Sequence, residues 1–520
     1  MKIAYIHATI PSTRHNAYIV EDGAFTFVGT TASVLRKPID RVIDLEHKTV
    51  FPGFHDSHLH VLGLGMVRAQ FDASLYDTIP KLIDAASQET GDAIIGRGFK
   101  ESQFQEKRVL TKQDLNQVRE DIPVIIYRVC GHLVVANDAA IRKVQTMNKP
   151  LPQDKASYDL ENGLFKEEAI AWIRNAIPEV SDETLEAWIL DAQAYLHHLG
   201  VTAVGSDDFS MLEIPYERVH NVFKRLDQNG KLTLRVLEQA NLPKLDALKR
   251  YIASKDAYFV GNRYKSGPLK LLADGSLGAR TAYLRDVYSD DATTKGIQVF
   301  SQDTLETLFQ TASNAGMDIA VHGIGDGIID SILDAFETLE SVQTNHHRHS
   351  IIHAQLAPFD QIERMASLKI GAQTQPIFLD ADIDIVESRL GERANTTYLF
   401  NTMAKNPNIP TTISTDAPIE SPNPFRNLYV ALTRRSITYK DAEPFIPEEA
   451  MTLKTAIDAY TKVPAFFRKE EKTLGRIAKG HRADFVIVEG FDVKDLTSLL
   501  TTTVRRTYVE GICVYDVDSH

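Results

Sequence analysis

The sequence predicts an α/β fold: a (β/α)8 TIM-like barrel, a β-sandwich domain formed from both chain termini, and an α/β insert after the first barrel strand. Three observations predict it. Between residues 51 and 464 short apolar runs alternate with amphipathic helical stretches, and eight such runs can be counted, the number a closed parallel barrel needs. Both ends of the chain instead carry strand-like alternation broken by turn residues. The interval between the first and second apolar runs far exceeds an ordinary βα connection and holds strands of its own.

Residues 1–50 and 465–520 supply the sandwich. At the start, Ala17-Tyr18-Ile19-Val20 and Ala24-Phe25-Thr26-Phe27-Val28-Gly29 flank the turn Glu21-Asp22-Gly23. At the end, Ala483-Asp484-Phe485-Val486-Ile487-Val488-Glu489-Gly490 and the stretch 507–515 repeat the pattern, so the chain leaves this domain and returns to it. The barrel covers 51–464, with strands expected at 49–54, 201–204, 232–237, 269–272, 319–321, 350–352, 370–372 and 411–414. Residues 65–180 form the insert, with strands at 93–96 and 124–127, expected to lie over the barrel mouth.

Composition narrows the partners more than the function. The hydrophobic fraction of 43% and charged fraction of 24% are those of an ordinary globular protein. A net charge of -13 with no Lys/Arg cluster argues against nucleic acid, and no run of about 18 apolar residues predicts a membrane span. Cys130 and Cys513 are too few for a disulfide framework or a cysteine metal cage, which suits a reducing cytoplasm. A small-molecule substrate is the partner this composition fits, and a homodimer is compatible with it.

Chemistry collects at the predicted carboxyl ends of the strands. In Phe51-Pro52-Gly53-Phe54-His55-Asp56-Ser57-His58-Leu59-His60, alternation sends Asp56, His58 and His60 to one face, so two imidazoles can converge on one cation. His322 ends Asp318-Ile319-Ala320-Val321, and His353 ends Ser350-Ile351-Ile352. Asp416 closes Thr411-Thr412-Ile413-Ser414-Thr415, where a carboxylate can touch a metal and take a proton from its water. Lys270, in Leu269-Lys270-Leu271-Leu272-Ala273-Asp274-Gly275, is anomalous in such company, because an ammonium has no lone pair for a metal. Carboxylated by carbon dioxide it becomes a carbamate able to bridge two cations. Asp326 reads as a helix N-cap, His349 as structural, and His346 and His347 as solvated loop residues.

These motifs resemble those of the amidohydrolase superfamily, and more narrowly its family 3 branch, which includes N-substituted formamide deformylases. The likeness covers nearly the whole chain and includes Gly96-Arg97-Gly98-Phe99, Gly131-His132, Gly200-Val201-Thr202, Asp274-Gly275-Ser276-Leu277-Gly278-Ala279-Arg280-Thr281 and Gly475-Arg476-Ile477-Ala478-Lys479-Gly480. Carried over, it implies two divalent metal ions, zinc by default with manganese, iron or nickel fitting the same donors. His58 and His60 would bind the more buried ion, Lys270 as carbamate would bridge, His322 and His353 would bind the second, and Asp416 would complete the first and act as catalytic proton shuttle. Phe99, His132 and Tyr283 are candidate substrate contacts.

The implied activity is hydrolysis of a C–N bond, in an amide, N-formyl or N-acyl small molecule, by metal-bound hydroxide. Ester, lactone or phosphoester hydrolysis uses the same site and is the alternative. Deamination fits less well, because the superfamily's deaminases place a glutamate where this chain has Gly325. A non-catalytic scaffold would be expected to lose ligands, and all six are here.

Overall fold

Eight parallel strands form one sheet in the computed structural model, which describes residues 1–212 and 214–519. In chain order they are Phe54–Leu59, Val201–Ser206, Arg235–Asn241, Tyr264–Leu272, Ile319–Gly323, Ser350–His353, Gly371–Thr374 and Thr411–Ile413, each hydrogen-bonded to the next. The first and last strands meet through Asp416 N donating to His58 O at 2.9 Å and His60 N donating to Ala417 O at 2.8 Å, so the sheet curls into a nearly closed barrel. Asp56 pins the same seam, accepting from Thr415 Oγ1 at 2.6 Å and Thr415 N at 3.2 Å.

Helices return the chain between strands, and their starts are written in the sequence. Ser301 caps Gln302–Asn314 by accepting from Thr304 N. Asn423 caps Pro424–Thr433 in the same way, with proline at a position where no amide donor is missed. The barrel interior is more polar than the branched aliphatic filling usual for such folds. Gln239 Nε2 donates to Gln373 Oε1 at 3.1 Å, Gln373 Nε2 to Ser350 Oγ at 2.8 Å, and Ser57 and Thr412 share a hydroxyl bond of 2.7 Å. Gln239 Oε1 ties this column of amides and hydroxyls to His58 Nδ1 at 2.5 Å.

One boundary expected from sequence is corrected. Residues 49–54 do not make the first barrel strand: Thr49–Pro52 pairs antiparallel with Phe485–Glu489, and the barrel begins at Phe54. Pro52 has no N–H to extend a ladder. Gly53 allows the chain to pass Thr202, whose Oγ1 would lie 2.3 Å from any Cβ there.

The termini build two further sheets of four strands each, ordered from Ala24–Gly29 through Ala17–Glu21 and Ile3–Ile6 to Arg41–Asp44, and from Ile512–Asp516 through Thr503–Val509 and Phe485–Glu489 to Thr49–Pro52. They share a core in which Tyr5 meets Phe485 at 5.2 Å between ring centroids and Phe485 stacks on Tyr508 at 4.4 Å. Buried Arg235, at the start of the third barrel strand, reaches Asp484 Oδ2 at 2.8 Å and Glu510 Oε1 at 2.8 Å. Terminal sheets and barrel belong to one compact unit, Met1–Leu64 with the chain from Ile189 onward.

Gly65–Trp188 is the second compact unit. Its six-stranded sheet has parallel strands Phe71–Asp72, Ile94–Phe99 and Val124–Arg128, continued antiparallel by Leu133–Ala136, Leu164–Lys166 and Tyr158–Asp159. Helices including Ile79–Ala86 and Asp138–Thr146 pack apolar faces onto it. Among the described residues no helix is long and apolar enough to cross a membrane.

Candidate metal centre

The seam between the first and last barrel strands brings His58, His60 and Asp416 together, with one ligand atom from each inside a span of 4.8 Å. Both imidazoles offer Nε2 to the same carboxylate oxygen: Asp416 Oδ1 lies 3.3 Å from His58 Nε2 and 3.1 Å from His60 Nε2. The opposite nitrogens are already used. His58 Nδ1 donates to Gln239 Oε1 at 2.5 Å, and His60 Nδ1 donates to the Asp207 carbonyl at 2.6 Å. Gln239 cannot reverse this, because its own Nε2 donates to Ser57 O at 3.0 Å as well as to Gln373. Each tautomer is thereby fixed with a lone pair turned toward the carboxylate.

Three acceptors facing one point repel one another unless something positive sits between them. Without a metal, a proton takes that role. Burial opposes charge on His60, but the bond to Asp416 and its negative charge win, and the imidazole pKa is pushed up to about 9. His58, buried and beside Lys270, is pushed down to about 4. Burial would raise the Asp416 carboxyl, yet the two histidines hold it well below the usual carboxylate range. A cation fits the same place, satisfying all three lone pairs together.

Lys270 is 1% exposed, its Nζ 3.5 Å from His58 Nε2 and 3.6 Å from Asp207 Oδ2. Asp207, also held by Asn241 Nδ2 at 3.0 Å, is a member that reading the sequence missed. Gln239 is another. Both would have been found by extending alternation further along the second and third strands.

His322 and His353 lie together, ring centroids 4.4 Å apart, and the His353 ring is 6.0 Å from that of His58. His322 Nε2 donates to Gly275 O at 3.0 Å and lies 3.2 Å from Asp274 Oδ1, which leaves its Nδ1 as the acceptor. Neither ring nitrogen of His353 has a hydrogen-bond partner although the residue is buried. A buried imidazole without partners loses the free energy of its bonds to water, so these nitrogens match a ligand role. His353, Ala354 and Asp416 have φ of 73°, 47° and 59°, a left-handed backbone that costs non-glycine residues of order 1–3 kcal/mol each. Strain at the ends of two strands re-aims two candidate ligands.

Of the remaining sequence candidates, Phe99 and His132 belong to the second unit and Tyr283 to the first. Phe99 is fully buried, stacked on Phe104 at 6.2 Å in the core of the second unit, so it is a packing residue there and offers no surface. His132 is exposed beside Glu167 at 3.3 Å. Tyr283 is half-buried, and its backbone N donates to Asp274 Oδ2 at 2.9 Å. Asp326 is not an N-cap: Gly325 holds that position and Asp326 opens the helix, accepting from Arg285 N at 2.9 Å. His349 is structural as expected, bonded to Ile319 N at 3.1 Å. His347 is corrected: it is partly buried and stacks on His349 at 4.6 Å because the loop folds back on the strand, whereas His346 is exposed.

Similarity to known proteins runs the length of the chain. A family model described as the amidohydrolase family matches residues 41–515. The putative amidohydrolase YtcJ of Bacillus subtilis (strain 168) is 31% identical, covering 97% of this chain and 96% of that protein. The N-substituted formamide deformylase of Arthrobacter pascens is 25% identical over 96% of this chain and 95% of its own. Among solved structures, an uncharacterized metal-dependent hydrolase from Pyrococcus horikoshii OT3 superposes with a TM-score of 0.80 at 29% identity, covering 99% of this chain and 100% of that one.

Proposed function

The chain belongs to the amidohydrolase family, and from that membership we propose a metal-dependent hydrolase that cleaves the C–N bond of a small amide, N-acyl or N-formyl substrate. The observation that carries the reading is the meeting of His58 and His60 on one oxygen of Asp416, with the far nitrogen of each ring already committed. His58, His60 and Asp416 would hold one divalent ion and His322 with His353 a second, zinc being favoured by imidazole and carboxylate donors. Lys270, its Nζ 3.5 Å from His58 Nε2, would join them as a carbamate. When bound, such ions supply Lewis acidity to a carbonyl oxygen and lower the pKa of water to about 7.

The rest of the chemistry falls to the chain. Asp416 is ionised at neutral pH, and both histidines address its Oδ1, so Oδ2 can receive a proton from the attacking water. The same carboxyl then delivers that proton to the departing nitrogen, which must be protonated to leave as an amine. Gln239 and the Asp207 carbonyl keep the two imidazoles in one orientation while the charge on Asp416 changes. The similarity to an N-substituted formamide deformylase favours an N-formyl or N-acyl substrate.

Protein purified without chelator and with bicarbonate should contain about two metal equivalents per chain, falling sharply in Lys270→Ala, and should hydrolyse an N-formyl amine faster than its matched formate ester. One equivalent insensitive to Lys270 refutes the bridged centre. A preference for the ester refutes the C–N assignment.

A further inference from the structure

Resting on that reading of the site, we infer that Leu272, Val299 and Ile297 form an apolar wall above the metal centre that selects substrates carrying an alkyl or aryl group. In the strand Tyr264–Leu272 successive side chains alternate between barrel interior and helix layer. Lys270 points inward, its Nζ 3.5 Å from His58 Nε2, so Leu272 points the same way, one step nearer the barrel mouth. Its register partner in the next strand is His322. That single step changes the environment, from 1% exposure at Lys270 to 48% at Leu272.

The following loop adds hydrocarbon beside it. Val299 N donates to Ala273 O at 2.9 Å and Ile297 N to Thr281 O at 3.0 Å, so residues 297–299 run alongside the segment that begins after Leu272. Gln298 turns back toward Ser331 Oγ at 3.5 Å, and the alternation leaves Ile297 and Val299 exposed by 53% and 49%. Branched aliphatic side chains held open at the edge of a polar centre contribute little to folding. A substrate's hydrocarbon laid over them takes both surfaces out of water, which favours binding in proportion to the area covered. Binding sites of this composition, mostly apolar with a few convergent polar groups, are the usual form for small molecules.

The test is calorimetric titration of zinc-loaded protein with linear alkyl hydroxamic acids of increasing chain length, alongside turnover of the matching N-alkylformamides. In the unaltered protein Kd should fall about two- to threefold per added methylene over the first few members. Leu272→Asp and Val299→Ser, both at half-exposed positions the fold tolerates, should each flatten that slope. A Kd independent of chain length, no binding of the longest chain, or a slope that survives both substitutions overturns the wall. A length-dependent Kd without turnover of any formamide keeps the wall and overturns the proposed reaction instead.

Discussion

Gln239 Oε1 accepts the Nδ1 proton of His58 across 2.5 Å, and that bond decides which nitrogen of His58 faces Asp416 and Lys270. Gln239 touches neither of them with its own polar atoms. It acts by orientation, its amide held by Ser57 O and Gln373 Oε1. Gln239→Leu keeps the volume and removes the acceptor, so His58 can rotate or change tautomer. Metal affinity should fall about 10- to 100-fold. Titration against a zinc-buffered indicator measures this, and a Gln239→Glu variant, which retains the acceptor, should recover most of the loss.

Asp416→Asn keeps the size of the side chain and takes away the base. Turnover should drop about 10²- to 10⁴-fold, the range a positioned general acid–base supplies, with metal retained in part by His58 and His60. Metal content and kcat measured on the same preparation separate the effects. Full metal content with turnover near that of the unaltered protein would give the proton another carrier.

The centre should exchange a proton for its metal. With the pKa of His60 pushed up to about 9, the metal-free protein at pH 7 keeps His60 protonated against Asp416. A histidine whose folded pKa is raised contributes stability that is complete below its unfolded value and is lost as pH rises through the folded one. For the metal-free protein that loss falls between about pH 6.5 and 9. Binding the first zinc at pH 7 in bicarbonate-free buffer should therefore release about one proton from His60, and affinity should rise up to about tenfold per pH unit toward pH 9. Calorimetry in two buffers of different ionisation enthalpy reads the proton count. Identical heats in both would contradict the arrangement.

Much of this centre was legible in the chain because its members stand at the carboxyl ends of recognisable strand sequences. His58 and His60 close one such run and Asp416 follows another, so their common end of the barrel could be read. A register shift between Asp56 and Leu59 nevertheless interrupts the alternation that was used to assign their faces. Gln239 was hidden by a boundary error. With the third strand ended at residue 237 it fell outside any element, whereas Arg235–Asn241 turns it inward between Leu237 and Asn241. Alternation carried one residue past the second strand would have placed Asp207 on the inner face, but its pairing with Lys270, 63 residues further along the sequence, is set by the curvature of the sheet. Positive φ at His353 and Asp416 left no trace either, because nothing in a histidine or an aspartate announces a left-handed backbone the way glycine does. The first strand was misplaced because Thr49–Pro52 and Phe54–Leu59 are both good strand sequences separated by one glycine, and only pairing with Phe485–Glu489 separates them.

The buried pair Arg235–Asp484 joins a barrel strand to the terminal sheets, and removing one partner should cost far more than removing both. Arg235 is wholly buried and Asp484 4% exposed, with 2.8 Å between Arg235 Nε and Asp484 Oδ2. Asp484→Ala leaves the guanidinium without its main counter-charge and deprives Glu510 N of an acceptor now 2.8 Å away. Breaking a buried pair in this way is expected to destabilise by about 3–5 kcal/mol, at the lower end here because Glu510 still reaches Arg235 Nη2 at 2.8 Å. Replacing both residues, as Arg235→Met with Asp484→Leu, removes the stranded charge and should recover most of the loss, because desolvation of the two ions opposed their attraction from the start. Urea denaturation of the metal-free proteins distinguishes the cases. A double variant as unstable as Asp484→Ala would show that the hydrogen bonds of Asp484 to the terminal strands, rather than its charge, hold this junction.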